Sequence, residues 1–284
     1  KVLAVWDTPA ADTDVDTFCG NTHVITCGNK TSPPLVLFHG AGDDSALMWI
    51  YNAPALAQHF RVYAVDTIGG PGKSRPNGNY VRGFDSLRWL DELLDGLGIE
   101  RTFIAGVSSG GLIAQHYGIM RPNRVPKMIC MSRTDIMSST GKNPILRMLK
   151  VFMPEAAFPT DQNIVRLIKK LAGGNYERIT GNPVLLEHYR HLLKGYNNMA
   201  MACHKKVTFT EKQLLSISGR SLFLFGEADP LGDAAYLRRC LEANRLDYRF
   251  FPGVGHLINH EIAQEINGIM VSYFIGDTPN GGIA

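Results

Sequence analysis

Strong net charge, paired cysteines and long apolar runs are all missing from this sequence. Its 29 Lys and Arg residues nearly balance 26 Asp and Glu residues, which leaves a formal charge of +3. Because the basic residues are also scattered, we expect no nucleic-acid partner. No apolar run approaches the roughly 18 residues of a membrane span, and the first residues do not form a charged segment followed by an apolar one. The sequence therefore predicts neither a membrane span nor a signal peptide.

The five cysteines are an odd number and show no C-x-x-C spacing. This distribution argues against a disulfide framework and against a zinc site, and it favours reduced, mostly buried thiols. We therefore expect a cytoplasmic protein. His256 and His260 have the spacing of two metal ligands on a helix, but they lack the H-E-x-x-H pattern, so no metal site is predicted.

Hydrophobic residues make up 45% of the 284 residues, which is ample for a core. This length is normal for one α/β domain with an insertion. Short apolar runs alternate with helical patterns along most of the chain, which indicates a mostly parallel sheet with helices on both faces. After a hairpin that turns at Gly20-Asn21, we predict strands at 34–38, 61–66, 102–105, 127–132, 221–226 and 248–251, and helices at 47–60, 85–98, 111–117, 234–246 and 258–274.

The interval from about residue 134 to residue 215 breaks this alternation. Asn182-Pro183 places a capping residue before a proline that suits the first position of a helix. Several helical patterns follow one another here without an intervening strand pattern. We therefore predict a helical cap, residues 134–215, inserted into an α/β core that is formed by residues 1–133 and 216–284.

Gly106-Val107-Ser108-Ser109-Gly110 is the most informative motif of the chain. It is a G-x-S-x-G sequence between an apolar strand and a helix, the pattern of a nucleophile elbow. The serine must sit on a sharp, strained turn so that its Oγ projects from the edge of the sheet, and side chains at the two glycine positions would crowd that turn. Ser108 is therefore the candidate nucleophile.

A serine nucleophile needs a base and a carboxylate that orients the base, and enzymes with this elbow carry serine, acid and histidine in that chain order. Asp229 follows the predicted strand at 221–226, and His256 follows the next predicted strand, just after Gly255. Both residues lie where side chains could converge on Ser108, so we predict a triad of Ser108, Asp229 and His256. Glu227 and Asp135 remain alternatives for the acid.

The oxygen of a tetrahedral intermediate needs two hydrogen-bond donors. The backbone N–H of Ser109 follows the nucleophile directly, and the N–H of Ala41 lies in the glycine-rich turn after the predicted strand at 34–38. We predict that these two groups form the oxyanion hole. His39 is expected to support this turn by hydrogen bonds.

Four segments besides the elbow carry a resemblance to a known family: 20–25 (GNTHVI), 34–41 (PLVLFHGA), 63–66 (YAVD) and 95–100 (DGLGIE). With them, the chain resembles the α/β-hydrolase superfamily over nearly its whole length. Within that superfamily it is similar to the bacterial carboxylesterases of the naproxen-esterase type. The resemblance implies an α/β-hydrolase fold, the triad named above, no cofactor, and hydrolysis of carboxylic esters.

We therefore expect a serine esterase that cleaves small, largely apolar ester substrates through an acyl-enzyme. Two alternatives share the triad and stay open: a receptor or signalling protein with slow turnover, and a cofactor-free enzyme of other chemistry, such as perhydrolysis or carbon–carbon cleavage. The sequence also leaves open whether the protein is a homodimer. Five methionines in or beside the predicted cap suggest an adaptable apolar pocket: Met137, Met148, Met153, Met199 and Met201.

Overall fold

The computed structural model of this chain describes residues 1–133, 144–205 and 207–276. Within these ranges the strands are β1 (Ala10–Thr17), β2 (Gly20–Cys27), β3 (Pro34–Phe38), β4 (Arg61–Val65), β5 (Arg75–Pro76), β6 (Phe103–Val107), β7 (Met128–Met131), β8 (Ser221–Gly226) and β9 (Asp247–Phe251). They form one sheet in the order β1-β2-β4-β3-β6-β7-β8-β9, and β5 pairs with β2. The strands from β4 through β9 in this order are parallel, whereas β1, β4 and β5 are antiparallel to β2. The prediction of a mostly parallel sheet is therefore confirmed.

Helices precede, connect and follow these strands. The α-helices are α1 (Ser45–Met48), α2 (Ala53–Leu56), α3 (Ser86–Gly96), α4 (Ser109–Met120), α5 (Pro144–Phe152), α6 (Asp161–Leu171), α7 (Glu177–Thr180), α8 (Pro183–Gly195), α9 (Glu211–Leu215), α10 (Ala234–Ala243), α11 (Ile258–Glu261) and α12 (Ala263–Ile275). Among the described residues, two 3₁₀-helices span Val2–Val5 and Asn198–Cys203. None of the described helices combines the length and the apolar character that crossing a membrane requires.

The central strands bury side chains on both of their faces. Leu35 and Leu37 of β3 join an apolar cluster that includes residues of α2 and α12. Val36 and Phe38, which alternate with them, join a second cluster that includes residues of α3 and α4. All four side chains are fully buried. This double burial explains why the strand is apolar throughout instead of alternating with polar residues.

The capping residues in the sequence predict the starts of two helices correctly. Asp85 begins α3 as predicted, because its side chain accepts the N–H groups of Leu87 and Arg88. Asn182 caps α8 in the same way, and Pro183 is the first helical residue.

Three predicted elements are wrong in detail. The single helix expected at 258–274 is divided into α11 and α12, because Ile262 has a non-helical backbone with φ −126° and ψ 42°. The single helix expected at 47–60 is replaced by α1 and α2, because Pro54 has no N–H to continue the helical ladder from Ile50. The hairpin turns at Phe18-Cys19, so Gly20 already belongs to β2. Gly20 has φ +133°, and a Cβ there would lie 2.3 Å from the carbonyl oxygen of Arg75 in β5.

Helices α5 to α9 lie between β7 and β8 in the chain, and we call them the helical insertion. They contact three loops that follow the carboxyl ends of strands. His188 of α8 pairs with Asp44 after β3, the Tyr196 hydroxyl donates to the carbonyl of Gly69 after β4, and Leu171 accepts the N–H of His256 after β9. The helical insertion therefore covers the carboxyl ends of the strands, which is where ligands bind in proteins with an open α/β sheet.

Candidate active site

Ser108 occupies a strained turn between β6 and α4. Its φ is 54° and its ψ is −115°, a conformation that residues with a side chain rarely adopt. The backbone N–H of Ser108 donates to the carbonyl of Met131 at the end of β7, at 2.8 Å. A Cβ at Gly106 would lie 2.2 Å from the carbonyl carbon of Gly110, and a Cβ at Gly110 would lie 2.3 Å from the carbonyl oxygen of Phe38. The turn therefore closes only with glycine at both positions.

The imidazole of His256 is paired with the carboxylate of Asp229. The distance from His256 Nδ1 to Asp229 Oδ2 is 2.8 Å, and Asp229 Oδ1 accepts the N–H of Leu231 at 2.8 Å. Both side chains are buried, with 10% and 4% of their surfaces exposed. Burial disfavours the imidazolium, but the charge and the hydrogen bond of Asp229 outweigh burial and raise the pKa of His256. The pair favours a proton on Nδ1 and leaves Nε2 able to accept another.

Ser132 connects the nucleophile turn with the histidine loop. It directly follows the residue whose carbonyl accepts the N–H of Ser108, and its own Oγ donates to the carbonyl of His256 at 2.8 Å. The backbones of Ser108 and His256 are thus both fixed by the end of β7. Within the described ranges, Ser108 Oγ makes no hydrogen bond to His256. The structure thus brings Asp229 and His256 into direct contact and sets Ser108 at the end of β6, which β7 separates from β8 in the sheet.

The two predicted oxyanion donors lie on the two turns that meet at the nucleophile. Ser109 is the first residue of α4, where the N–H has no partner within the helix. Gly40 comes so close that a Cβ on it would lie 3.7 Å from the Cβ of Ser108, and Ala41 is the next residue. His39 supports this turn as predicted. Its Nδ1 donates to the carbonyl of Gly40 at 2.7 Å, and its Nε2 accepts a backbone N–H at 2.9 Å.

Glu261 is a residue of the site that the sequence did not reveal. Its Oε1 accepts the N–H of Gly255 at 2.9 Å, and its Oε2 accepts the N–H of Gly173 at 2.7 Å. Only 1% of this residue is exposed, and burial raises the pKa of its carboxyl group. The N–H of His256 in turn donates to the carbonyl of Leu171 at 2.7 Å. Glu261 and the helical insertion together hold the backbone around His256.

A second polar contact joins the helical insertion to the turn after β3. His188 Nε2 lies 2.6 Å from Asp44 Oδ2, and 144 residues separate the two in the chain. Asp44 also caps α1 by accepting the N–H of Leu47 at 2.9 Å. Burial opposes the charged form of His188, but Asp44 outweighs burial and raises the pKa of His188. The sequence assigned no role to His188, since only the fold reveals its partner.

Glu227 and Asp135 are the alternatives to Asp229 for the catalytic acid. Glu227 forms an ion pair with Arg238 at 2.5 Å, and 39% of its side chain is exposed. It is therefore engaged at the surface instead of with His256. Asp135 lies outside the described residues.

His260 is buried in the core. Its Nε2 lies 3.2 Å and 2.9 Å from two carbonyl oxygens of α1, to which it donates. Burial lowers the pKa of His260 to about 4, so the ring is neutral and acts in packing. In the part of the chain that the structure describes, no three His, Cys, Asp or Glu side chains come together as potential metal ligands.

A cavity of about 50 Å³ lies beside Ser109. Most of its exposed surface is apolar, and its walls combine residues of α3 and α4 with the segment between α8 and α9. The apolar lining residues are Leu90, Leu112, Ile113, Met201 and Val207, and Ser86, His116, His204 and Lys205 line it as well. Met201 is the predicted pocket methionine that lines this cavity. Met148, Met153 and Met199 are exposed, and Met137 lies outside the described residues.

Comparisons with known proteins agree with this architecture. The family model for the alpha/beta hydrolase fold matches residues 33–163. Carboxylesterase YbfK of Bacillus subtilis is 28% identical over 96% of this chain and 91% of its own length. A second Bacillus subtilis protein, described as the uncharacterized carboxylesterase nap, is 27% identical over 97% of this chain and 90% of its own length. The crystal structure of naproxen esterase from Bacillus subtilis superposes with a TM-score of 0.82 at 24% identity, over 96% of this chain and 94% of that one.

Proposed function

Because the chain belongs to the α/β-hydrolase superfamily, we propose that it is a serine esterase that hydrolyses carboxylic esters. The observation that carries this proposal is the buried pair of Asp229 and His256, on loops that follow β8 and β9, beside a strained serine turn after β6. Similarity to carboxylesterase YbfK over nearly the whole chain supports the same activity. The fold alone would not, since one fold hosts many reactions.

In the proposed reaction, His256 is the general base and Ser108 is the nucleophile. His256 Nε2 takes the proton from Ser108 Oγ while this oxygen bonds to the ester carbonyl carbon. The carbonyl oxygen becomes an oxyanion, which accepts hydrogen bonds from the N–H groups of Ser109 and Ala41; one such donor contributes about 3 kcal/mol in known cases. Asp229 orients the imidazole and stabilises the imidazolium. The raised pKa of His256 supports this role.

The second half of the reaction returns the enzyme to its starting state. The protonated His256 gives its proton to the leaving alcohol as the carbon–oxygen bond breaks, and an acyl-enzyme on Ser108 remains. A water molecule then loses a proton to His256 and adds to the acyl carbon. The tetrahedral intermediate collapses, Ser108 Oγ recovers the proton, and the carboxylic acid leaves.

We further propose that residues 134–215 act as a cap that shapes a pocket for small, largely apolar ester groups. The contacts from His188, Tyr196 and Leu171 to the loops after β3, β4 and β9 support this role. The cavity beside Ser109 supports a small apolar group, because its volume is only about 50 Å³ and its lining is mostly apolar.

A cytoplasmic location is part of the same proposal. All five cysteines are unpaired, and four of them are buried. Unpaired thiols of this kind persist in a reducing compartment. Cell fractionation of the native host tests this, and recovery outside the cytoplasm would contradict it.

The experiment that tests the function is hydrolysis of a p-nitrophenyl ester series, from acetate to long acyl chains. Ser108→Ala should lower kcat on the order of 10⁶-fold, the loss seen when a catalytic serine is removed. The matched control is Ser272→Ala, because Ser272 is an exposed serine on α12. A rapid burst of p-nitrophenol before steady state would reveal the acyl-enzyme. Activity that survives in Ser108→Ala would disprove the nucleophile, and a folded protein that hydrolyses no ester would disprove the function.

A further inference from the structure

Asp43 is a buried carboxylate that the proposed reaction does not use. Only 5% of the residue is exposed, and its Oδ1 is buried with no aligned hydrogen-bond partner in the ranges that the structure describes. The next carboxylate is engaged, since Asp44 accepts the N–H of Leu47 and pairs with His188. A buried polar atom without a partner is rare in folded proteins and needs an explanation. A ligand that donates hydrogen bonds would supply one.

The groups that face Asp43 come from three parts of the chain. They are Asp44 from the same turn, His188 and Tyr189 from α8, and His256 from the loop after β9. Burial and the charge of Asp44 raise the pKa of Asp43 to about 7, although Tyr189, His188 and His256 all favour the ionised form. The Tyr189 hydroxyl, which is also buried, lies close enough to hydrogen-bond to the carboxylate of Asp43, although the contact is not well aligned. Asp43 Oδ1 is therefore left without an aligned partner, between the helical insertion and the candidate catalytic histidine.

Asp43 also lies close to Ala41, whose N–H is proposed to bind the carbonyl oxygen of the ester. The Cα atoms of Ala41 and Asp43 are at most about 7 Å apart, because the two residues are only two positions apart. The N–H of Asp43 donates to the carbonyl of Gly40 at 3.4 Å, which tightens this turn. A Cβ at Gly42, between them, would have no atom within 4 Å, so the turn borders open space. A group bound by Asp43 would be a few bonds away from a carbonyl carbon whose oxygen Ala41 holds.

We propose that Asp43 forms an ammonium subsite and that the preferred esters carry a protonated amine at the α or β carbon of the acyl group. This inference rests on the esterase function proposed above. An ammonium group donates three hydrogen bonds, an ionised carboxylate only accepts them, and such charge-assisted bonds are roughly twice as strong as neutral ones. Although the pKa of Asp43 is raised to about 7, a bound ammonium favours the ionised form, because an opposite charge nearby lowers the pKa of a carboxyl group. The Tyr189 hydroxyl offers a second acceptor. A substrate that carries a carboxylate would instead be repelled by Asp43 and Asp44.

Isosteric esters test the subsite without requiring turnover. The first series contains the benzyl esters of alanine, lactate and isobutyrate, in which an ammonium, a hydroxyl or a methyl group occupies the α position. The second series contains the benzyl esters of 3-aminobutanoate, 3-hydroxybutanoate and 3-methylbutanoate. Their binding to Ser108→Ala is measured by calorimetry at pH 7. The same titrations are repeated with Asp43→Asn, Tyr189→Phe and the control Asp7→Asn, each in the Ser108→Ala background, because Asp7 is an exposed carboxylate.

In at least one series the amino ester should bind at least tenfold more tightly than its methyl isostere, as expected for a hydrogen bond to a charged group. Asp43→Asn should remove most of this preference, and Asp7→Asn should not. An equal gain for the hydroxyl ester, no preference in either series, or a preference that survives Asp43→Asn would overturn the inference. If Asp43→Asn does not fold, as judged by its thermal unfolding, the preference in Ser108→Ala and its reduction in Tyr189→Phe decide the question.

The same esters separate this inference from the esterase function. Hydrolysis of the methyl isosteres by the wild type, with no preferential binding of amino esters, would overturn the subsite alone. Preferential binding of amino esters through Asp43, with no ester hydrolysed, would support the subsite and overturn the proposed reaction.

Discussion

Glu261 accepts a hydrogen bond from the N–H of Gly255, the residue directly before His256, at 2.9 Å. Its second oxygen accepts the N–H of Gly173 in the helical insertion at 2.7 Å. One buried carboxylate thus ties the proposed general base to the proposed cap. We infer that Glu261 is a positioning residue, since it acts on the ring of His256 only through the backbone and through its charge.

The substitution Glu261→Gln tests this role. One of the two backbone N–H groups then faces an amide NH₂ group, and a buried donor without an acceptor costs about 1–3 kcal/mol in the free energy of unfolding. The charge of Glu261 also contributes to the raised pKa of His256, so the acidic limb of the pH–kcat/KM profile should move to lower pH. Urea unfolding and the pH profile check both effects. Glu265→Gln is the control, because Glu265 is exposed on α12, and equal effects of the two substitutions would contradict the positioning role.

The hydrogen bond between Asp229 and His256 predicts that replacing Asp229 lowers activity more than replacing Glu261 does. In Asp229→Asn, kcat should fall roughly 10³–10⁴-fold, because an amide no longer holds the imidazole in the productive tautomer. Catalysis needs neutral His256, so activity rises as the pH passes the pKa of His256. Asp229 raises this pKa, and its removal should therefore shift the acidic limb to lower pH. Steady-state kinetics across pH values measure both effects, and an unmoved limb would show that Asp229 does not act on His256.

The parts of the site that could be predicted from sequence are those that local patterns determine. The elbow around Ser108 depends on glycines two residues to either side of the serine, and Asp229 and His256 each follow a recognisable apolar strand. Asp85 could be predicted as a helix cap because its partners are two and three residues away.

The missed residues depend on contacts that only the fold creates. Asp44 and His188 are 144 residues apart in the chain, and Glu261 reaches Gly173 across 88 residues. Asp43 has no sequence signal, because its distinction is a buried carboxylate oxygen without an aligned hydrogen-bond partner. The prediction of one helix at 47–60 is wrong for a different reason: the helical pattern of the segment is interrupted by Pro54, whose missing N–H divides it into α1 and α2.

The close approach of Gly110 to β3 predicts opposite effects for two glycine-to-alanine substitutions in helices. In Gly110→Ala the new Cβ would lie 2.3 Å from the carbonyl oxygen of Phe38 and 2.6 Å from that of His39. Because these are backbone atoms, the turn must shift, and we expect a loss of about 1–3 kcal/mol in the free energy of unfolding together with a lower kcat. Gly268→Ala in α12 meets no atom within 4 Å and should gain about 0.5–1 kcal/mol. Urea unfolding of both variants tests this, and a stable, fully active Gly110→Ala would contradict the packing argument.

A buried ion pair far from the chemistry predicts how stability varies with pH. His23 Nδ1 lies 2.8 Å from Asp66 Oδ2, and both side chains are 3% exposed. Burial opposes each charge, yet the pair raises the pKa of His23 above its ordinary value of 6.5 and lowers the pKa of Asp66 below its ordinary value of 3.8. Asp12 and Lys73 also contact this pair.

The way in which stability depends on pH follows from the directions of the two pKa shifts, upward for His23 and downward for Asp66. The contribution of His23 is fully present below pH 6.5 and is lost as the pH rises through the higher, folded-state pKa, while the contribution of Asp66 is present above pH 3.8 and is lost as the pH falls through its lowered pKa. The free energy of unfolding of the wild type minus that of His23→Gln should therefore be largest near pH 4–6 and shrink towards pH 9, by about 1.4 kcal/mol for each unit by which the pKa of His23 is raised. Urea unfolding across this range measures the difference. The lost packing of the imidazole adds a constant offset, and His59→Gln, at an exposed histidine, should show no such trend. A difference that stays constant or grows with pH would mean that His23 is not charged in the folded protein.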